Sequence, residues 1–223
     1  GMNKVITKEK AASFVKDGST IMVGDFLGSS TPECIINALV TQGTKDLTLI
    51  SCTTGNPQHG CGKLIVSKQV KKAVTSHIGT NRETGRQLNA GELEVEFVPQ
   101  GTLAERIRCG GAGLGGALTQ TGLGTSMEEG KTKIEVDGKV YLLEKPLHAD
   151  VALIKAYWAD EKGNLTYRLT SHNMNTVMAM AADVVIAEVE EIVPTGSISP
   201  DAVVTPGPLV DYIVLAEKGA DYQ

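Results

Sequence analysis

Short apolar runs alternate with amphipathic stretches along this chain of 223 residues. Short continuous apolar runs predict buried strands, and apolar positions three or four residues apart predict helices. Their alternation favours βαβ units, and therefore an α/β fold in which helices flank a mainly parallel sheet. We predict strands over 20–23, 47–50, 73–76, 93–98, 151–157, 184–189 and 212–215, and helices over 7–15, 32–42, 81–88, 103–108 and 175–182.

Two stretches depart from this alternation. Residues 133–143 read KIEVDGKVYLL, two alternating runs joined by Asp137-Gly138, which is typical of a β-hairpin with a type I′ turn. We expect this small antiparallel hairpin at a sheet edge or in a flap. Residues 194–208 hold four prolines, so we predict an extended segment that wraps over a neighbour. No internal repeat or linker is visible, and we predict one domain over 1–223, with Gly1 interpreted as a tag remnant.

Composition limits the classes of partner. Apolar residues make up 41% of the chain and aromatic residues 4%, so we expect a mainly aliphatic core. The formal net charge of −5 argues against nucleic acid as the main partner. No apolar run reaches the ~18 residues of a membrane span, and the charged stretch 8–16 reads as a helix and not as an export signal. The four cysteines form no CxxC pair, so we expect a reduced, cytoplasmic protein.

Ligands of open parallel sheets bind beyond the carboxyl ends of the strands. Three loops qualify here, 24–32, 51–62 and 99–101, and we expect them to converge if their strands are neighbours. In the first loop, Thr31 is predicted to cap a helix that starts at Pro32 and ends at Gly43. Free N–H groups at that helix start favour an anion, and an ordinary capped turn explains the same residues equally well.

Gln100, at the end of a predicted strand, is the main polar candidate. Its amide can donate to a carboxylate or a developing oxyanion, or it can satisfy the backbone of its own loop. Cys52 also ends a strand, but a nucleophilic thiol needs a placed base and a lowered pKa, so we favour a buried cysteine. Cys52, His59 and Cys61 do not have the spacing of a structural zinc site, and we predict no metal.

The stretch 110–124 carries seven glycines. Glycine permits positive φ angles and the close approach of another backbone or of a phosphate-bearing ligand. Residues 111–116 match GxGxxG, but they follow a helical pattern and not a strand, which argues against a dinucleotide site. We expect four of these glycines to pack against a partner chain or to shape the entrance for a coenzyme: Gly110, Gly111, Gly113 and Gly116.

Several segments together resemble one family. They are VPQGTLAERIRCGGAGLGGALTQTGLGT (98–125), the stretch 17–32 that begins DGSTIMVGDF, LLEKPL (142–147), ADVALIKA (149–156), GNL (163–165), MAMAA (178–182) and TPG (205–207). They are spread over essentially the whole chain. On these segments the chain resembles the small (A, or α) subunit of family I coenzyme A transferases, of the acetate/butyrate–acetoacetate type.

The resemblance implies a coenzyme A transferase or ribose-phosphate-isomerase-like fold and a ping-pong transfer of CoA between short-chain acids. It places the nucleophilic glutamate, which comes to carry a glutamyl-CoA thioester, on a partner B (β) subunit, with an A2B2 assembly. Acyl-CoA and a short-chain carboxylic acid are then substrates, and no cofactor is bound permanently. Four glutamates here lie in predicted strand or strand-end contexts without a matching motif, so we assign no catalytic residue to this chain: Glu144, Glu188, Glu190 and Glu191.

The resemblance also implies where the acyl group binds. Gln100 matches a glutamine that contacts the acyl substrate, and Cys52 and Thr53 match a pair of positions that touch it. We expect four loop residues to line the same site: Gly24, Asp25, Phe26 and Gly28.

The chain departs from its relatives at several of these positions. Cys52-Thr53 replaces Asn-Asn or Asn-Asp, Asp25 replaces a glycine, and three residues stand where Arg, Phe and Pro are usual: His172, Met174 and Thr176. The departures bear on the identity of the substrate and not on the reaction class. From Asp25 we form the hypothesis that the site favours an acyl group with a hydroxyl or an amine.

Two other functions stay open at the level of sequence. A stand-alone sugar-phosphate isomerase or deaminase would need an acid/base pair and a phosphate cradle, for which 28–31 is the one candidate. A non-catalytic module that binds an acid or a thioester would bind its ligand without turnover even beside a partner.

Overall fold

The protein is described here by a computed structural model that covers residues 3–25, 31–167 and 172–217, with side chains described from residue 174 onward in the last range. The strands are β1 (Thr20–Val23), β2 (Leu47–Thr53), β3 (Val70–His77), β4 (Glu94–Phe97), β5 (Ala117–Thr119), β6 (Lys133–Val136), β7 (Lys139–Glu144), β8 (Ala149–Asp160), β9 (Leu165–Thr166), β10 (Ala182–Val193) and β11 (Tyr212–Leu215). The helices are α1 (Lys8–Ser13), α2 (Glu33–Gln42), α3 (Gly62–Val66), α4 (Arg82–Asn89), α5 (Gln100–Ala112) and α6 (His172–Met180).

The main sheet has the strand order β11-β10-β8-β1-β2-β3-β4, and all neighbours in this order run parallel. β9 lies off this path and pairs antiparallel with two residues near the end of β8, Trp158 and Ala159. The predicted α/β class with a mainly parallel sheet is confirmed. Because β1 lies between β8 and β2, chain segments that are far apart in sequence meet at the centre of the sheet.

Helices cover both faces of the main sheet. On one face, Leu103 of α5 and Met178 of α6 belong to a single buried cluster with Ile50 of β2. On the other face, Ile35 of α2 and Leu64 of α3 belong to a second cluster together with residues of α1. The core is therefore two aliphatic layers, as the low aromatic content predicts.

The predicted hairpin lies in a small separate sheet of order β5-β7-β6. Asp137 and Gly138 both have positive φ, 51° and 80°, as a type I′ turn requires. Because this sheet is separate from the main one, the hairpin forms the expected small antiparallel flap and does not extend an edge of the main sheet.

Helix α5 and the segment 194–208 differ from their predictions. Helix α5 starts at Gln100, not at residue 103, because the Leu103 N–H donates to the Pro99 carbonyl (2.8 Å) and closes the first turn there. It continues through Gly110 and Gly111, so these glycines are helical and not in a loop. The segment 194–208 is not uniformly extended, since it contains two short 3₁₀ turns and pairs with this chain's own Leu165 through Thr205.

No helix among the described residues combines the length and the apolar character needed to cross a bilayer.

We predict that Gly110→Ala lowers the free energy of unfolding by about 3 kcal/mol, because overpacking a core contact strains the backbone on both sides. A Cβ at position 110 would lie 1.8 Å from the Leu147 carbonyl oxygen. The matched control is Gly85→Ala in α4, where a Cβ meets nothing within 4 Å. That variant should gain roughly 0.5–1 kcal/mol from helix propensity. Urea denaturation followed by circular dichroism measures both, and equal midpoints for the two variants would contradict the packing argument.

Candidate functional site

The carboxyl ends of β1 to β4 border a pocket of about 370 Å³. Its walls come from the segments that follow each of these strands, so the three predicted loops converge because their strands are neighbours. A fourth segment, after β3, also contributes. The predicted residues that line the pocket are Asp25, Thr31, Cys52, Thr53 and Gln100.

Gln100 lines the pocket from the first turn of α5 and not from a strand end. The expectation of a strand-end loop at 99–101 is wrong because Pro99 caps the helix directly. A side chain at a helix start lies close to N–H groups that have no partner within the helix, which suits a site for a carboxylate or an oxyanion. The exposed Gln100 amide is open to a ligand.

Gly24 supports the pocket without lining it. Its N–H donates to the Leu153 carbonyl (2.9 Å), and a Cβ there would lie 2.1 Å from Asn175 Oδ1. Glycine is therefore required so that the fully buried Asn175 of α6 can reach the end of β1. Phe26, Gly28 and the side chain of His172 lie outside the described residues.

Asp25 is a buried carboxylate, 5% exposed, at the pocket wall. The Thr31 hydroxyl donates to its Oδ1 (3.1 Å), and the Cys61 N–H donates to its Oδ2 (2.8 Å). Burial raises the pKa of the Asp25 carboxyl, and the hydrogen bond from the Cys61 backbone opposes that rise. Both oxygens are thus already hydrogen-bonded to protein groups.

Glu33 is the second buried carboxylate of the pocket. The Gly60 N–H donates to its Oε1 (2.6 Å), and Lys63 Nζ forms an ion pair with its Oε2. Burial raises the pKa of the Glu33 carboxyl, and the hydrogen bond from Lys63 works against it. Lys63 also donates to Asn37 Oδ1 (2.7 Å), which fixes the ammonium group between α2 and α3.

The start of α2 differs from its prediction. Pro32, not Thr31, is the N-cap, and the Thr31 hydroxyl donates a hydrogen bond to Asp25 instead of capping the helix. The Ile35 N–H in the first turn donates to Glu188 Oε1 (2.8 Å), a carboxylate of β10 that is fully buried. The anion that this amide favours is therefore supplied by the chain itself.

Cys52 and Cys61 lie on opposite faces of the main sheet, since each belongs to a different core cluster. Burial, with a smaller contribution from the Asp25 carboxylate, raises the pKa of the Cys52 thiol to about 11. A thiol of that pKa is protonated at neutral pH, so the structure favours the buried-cysteine interpretation over a nucleophile. Across the described residues, no group of three or more His, Cys, Asp or Glu side chains could hold a metal ion.

Three glycines of the 110–116 stretch make close contacts within the chain: Gly110, Gly111 and Gly116. A Cβ at Gly110 would meet the Leu147 backbone, and one at Gly111 would lie 2.8 Å from both Cβ and O of Met180. At Gly116 it would lie 2.7 Å from the Glu144 carbonyl oxygen. Gly113, with φ 69°, ends α5 in the left-handed conformation. Contacts within the chain thus account for Gly110, Gly111 and Gly116, and backbone conformation accounts for Gly113. The role of these four glycines toward a partner or a coenzyme stays a prediction.

Sequence reasoning missed part of the pocket wall. Glu33 was not singled out because a carboxylate in the first turn of a helix is common and carries no specific signal. Asn56 and Thr80 follow β2 and β3, and His77 is the last residue of β3. Their only sequence signal is that they stand at or beyond strand ends. Asn175 has no local signal, since its contact with Gly24 spans most of the chain.

Comparisons with known proteins agree with this fold. The sequence model described as Coenzyme A transferase matches residues 5–216. The acetate CoA-transferase subunit alpha of Escherichia coli K12 is 52% identical over 215 residues, which cover 96% of this chain and 98% of that protein. The acetoacetyl-CoA:acetate/butyrate CoA transferase alpha subunit of Clostridium acetobutylicum is 53% identical over 212 residues, which cover 95% and 97%.

Among solved structures, an acyl-CoA transferase apoenzyme from Escherichia coli O157:H7 aligns with a TM-score of 0.85 at 24% identity. The alignment covers 95% of this chain and 46% of that chain. At this identity the likeness concerns the fold, namely the parallel sheet flanked by helices. With the family match over residues 5–216 and the identity to curated subunits, it leads to one conclusion: this chain belongs to the coenzyme A transferase family.

Proposed function

We propose that this chain is the A subunit of a CoA-transferase that moves coenzyme A between short-chain acids such as acetate, butyrate and acetoacetate. The observation that carries the proposal is the 52% identity to an acetate CoA-transferase subunit alpha along nearly the full length of both chains. The pocket at the carboxyl edge of the sheet supports it, because Gln100, Cys52 and Thr53 line it together. Coenzyme A thioester is a substrate here, and the proposal includes no permanently bound cofactor.

The reaction we propose is ping-pong. A glutamate carboxylate of the partner B subunit attacks the acyl-CoA carbonyl and expels the CoA thiolate, giving a mixed anhydride. The thiolate then attacks the glutamyl carbonyl, which releases the first acid and leaves a glutamyl-CoA thioester. The second acid reverses these steps and leaves as the new acyl-CoA. On this chain, the Gln100 amide donates to an oxygen of the acid or of the tetrahedral intermediate.

The chemistry of the pocket supports a nucleophile from another chain. Asp25 and Glu33 are the carboxylates at its wall, and each accepts a hydrogen bond from one backbone N–H group. Such bonds stabilise the charge and lower its reactivity toward a carbonyl. The Cys52 thiol, with a pKa of about 11, is not ionised at neutral pH. The role that fits these residues is to shape the acyl pocket.

An A2B2 assembly in the cytoplasm completes the proposal. The alpha-subunit names of the relatives support a B subunit as partner. The alignment of this chain to 46% of an acyl-CoA transferase chain also supports a partner, because a second chain would correspond to the other part of that longer chain. The cysteines are buried thiols, which fits a reducing compartment.

We predict that Cys52 resists alkylation. Because its pKa is raised to about 11, the thiolate fraction at pH 8 is small, and the side chain is 7% exposed. Iodoacetamide at pH 8 followed by mass spectrometry should leave the native protein largely unmodified at this residue, whereas protein unfolded in urea should be labelled at all four cysteines. Rapid labelling of native Cys52, at the rate of the unfolded control, would restore the nucleophile interpretation.

The proposed function is tested by producing the chain with a candidate B subunit and measuring CoA transfer from butyryl-CoA to acetate and acetoacetate. The chain alone is assayed beside the complex. Transfer should occur only with both chains, and borohydride added after acyl-CoA should abolish it by reducing the glutamyl-CoA thioester. A well-formed complex that transfers CoA from none of several acyl donors would refute the proposal.

Within that complex, Gln100→Ala should lower kcat/KM for the acid by about 100-fold, the loss typical of one donor at a developing oxyanion. Asn89→Ala is the control, because it truncates an exposed amide at the end of α4, outside the pocket. That variant should keep the wild-type rate within about twofold, as substitutions away from a site usually do. Equal rates for the two variants would remove Gln100 from the site.

A further inference from the structure

The loop 55–62 forms one wall of the pocket, and two buried carboxylates hold its backbone. The Gly60 N–H donates to Glu33 Oε1 (2.6 Å), and the next N–H, that of Cys61, donates to Asp25 Oδ2 (2.8 Å). Asp25 follows β1 and Glu33 begins α2, so the loop after β2 is tied to two different elements. Two consecutive backbone N–H groups of the loop, those of Gly60 and Cys61, thus donate to two different carboxylates.

Burial makes both carboxylates depend on the hydrogen bonds that they accept from the protein. Asp25 is 5% exposed and Glu33 is 1% exposed, and a carboxylate removed from water is stable only where donors replace the lost hydration. For Asp25 the structure provides the Thr31 hydroxyl and the Cys61 N–H. For Glu33 it provides the Gly60 N–H and the Lys63 ammonium.

The loop is shaped to receive these carboxylates. Gly60 has a φ of +59°, and a Cβ there would lie 2.6 Å from Asp25 Oδ2 and 2.8 Å from its Oδ1. At Gly55, also with positive φ, a Cβ would lie 3.4 Å from Asp25 Oδ2. Any side chain at position 60 would push the loop away from the acid, so the glycine and the carboxylate form one matched contact.

We propose that Asp25 and Glu33 are positioning residues of the acyl site. They hold loop 55–62, and with it Asn56 and His59, as a preformed wall against which the acid substrate binds. This inference rests on the proposed function. Asp25 acts through its hydrogen bond with the Cys61 N–H and does not contact the acyl group directly. This role replaces the hypothesis that Asp25 selects an acyl group with a hydroxyl or an amine.

The test compares Asp25→Ala with Asp25→Asn in the assembled complex. Asparagine can accept from the Cys61 N–H and donate to the Thr31 hydroxyl, so it keeps both contacts without the charge. Asp25→Ala should raise the KM for the acid acceptor about tenfold, as expected for one lost charge-assisted hydrogen bond, with a smaller change in kcat. Asp25→Asn should stay within about threefold of the wild-type KM, since the wall remains in place.

Asp160→Ala is the matched control. Asp160 is 3% exposed, and its Oδ1 accepts from the N–H groups of Lys162 (3.0 Å) and Asn164 (3.1 Å), so it too holds a loop through backbone amides. It lies outside the pocket wall. This variant should lose thermal stability as Asp25→Ala does but leave the KM unchanged. Should Asp25→Ala not fold, Asp25→Gly replaces it, because glycine removes the same carboxylate and leaves the Cys61 N–H without its acceptor.

Hydrogen–deuterium exchange of peptides within 55–62 in the same complexes gives a readout that needs no turnover. Exchange should be about tenfold faster in Asp25→Ala and near wild type in Asp25→Asn and Asp160→Ala, since only the first variant removes the acceptor of the Cys61 N–H. If the wild-type complex transfers no CoA, the proposed function is overturned. The exchange measurement still tests whether Asp25 holds loop 55–62. The inference is overturned if exchange in Asp25→Ala stays at the wild-type rate, or if Asp25→Asn raises the KM as much as Asp25→Ala does, which would mean direct contact between the charge and the substrate.

Discussion

The register of β1 between β2 and β8 determines where the site forms. Met22 pairs with Ile50 on one side and with Ala152 on the other, and β1 ends at Val23 while both neighbours continue. The central strand is therefore shorter than the strands beside it at the carboxyl edge. Beyond Val23 the chain passes through Gly24 and Asp25 into the space this difference leaves. The pocket lies at that edge because parallel strands present all their carboxyl ends together.

Around this edge, buried acids satisfy backbone amides that secondary structure cannot. Glu188 receives the Ile35 N–H at the start of α2, while Glu33 and Asp25 receive those of Gly60 and Cys61. A buried N–H without an acceptor is costly, and irregular loops have few backbone acceptors of their own. The acids thus allow a glycine-rich loop to be ordered against the sheet, where it forms one wall of the pocket.

The sequence predicted those elements whose signal is local. The strand 20–23 agrees with β1 because its apolar run is continuous, and the hairpin turn agrees because Asp137-Gly138 tolerates positive φ. The start of α5 was missed because Pro99 and Gly101 read as a loop, although proline suits a helix start. The tertiary contact of Gly110 with Leu147 likewise outweighs the low helix propensity of glycine.

The candidate site was predictable only in outline, for a related reason. Gln100, Cys52 and Thr53 follow predicted strands, so the rule for parallel sheets places them at one edge. The structure extends β2 through Thr53 and brings all three residues to one pocket. The contact between Asp25 and Cys61 joins residues 36 positions apart. No residue spacing in a single sequence predicts a hydrogen bond between two such distant residues. Long-range polar contacts of this kind depend on the strand order, which periodicity does not supply.

The same contacts bear on why a transferase would divide its chemistry between chains. A carboxylate that attacks a thioester must keep a lone pair accessible, whereas a carboxylate that orders a loop must have its lone pairs occupied by donors. Asp25 and Glu33 are of the second kind, each with both oxygens hydrogen-bonded or ion-paired. Freeing either acid for attack would release the pocket wall, against which we propose that the substrate binds. A nucleophile on a partner chain avoids that conflict, because this chain can then keep its buried acids fully engaged while the reactive carboxylate approaches from outside.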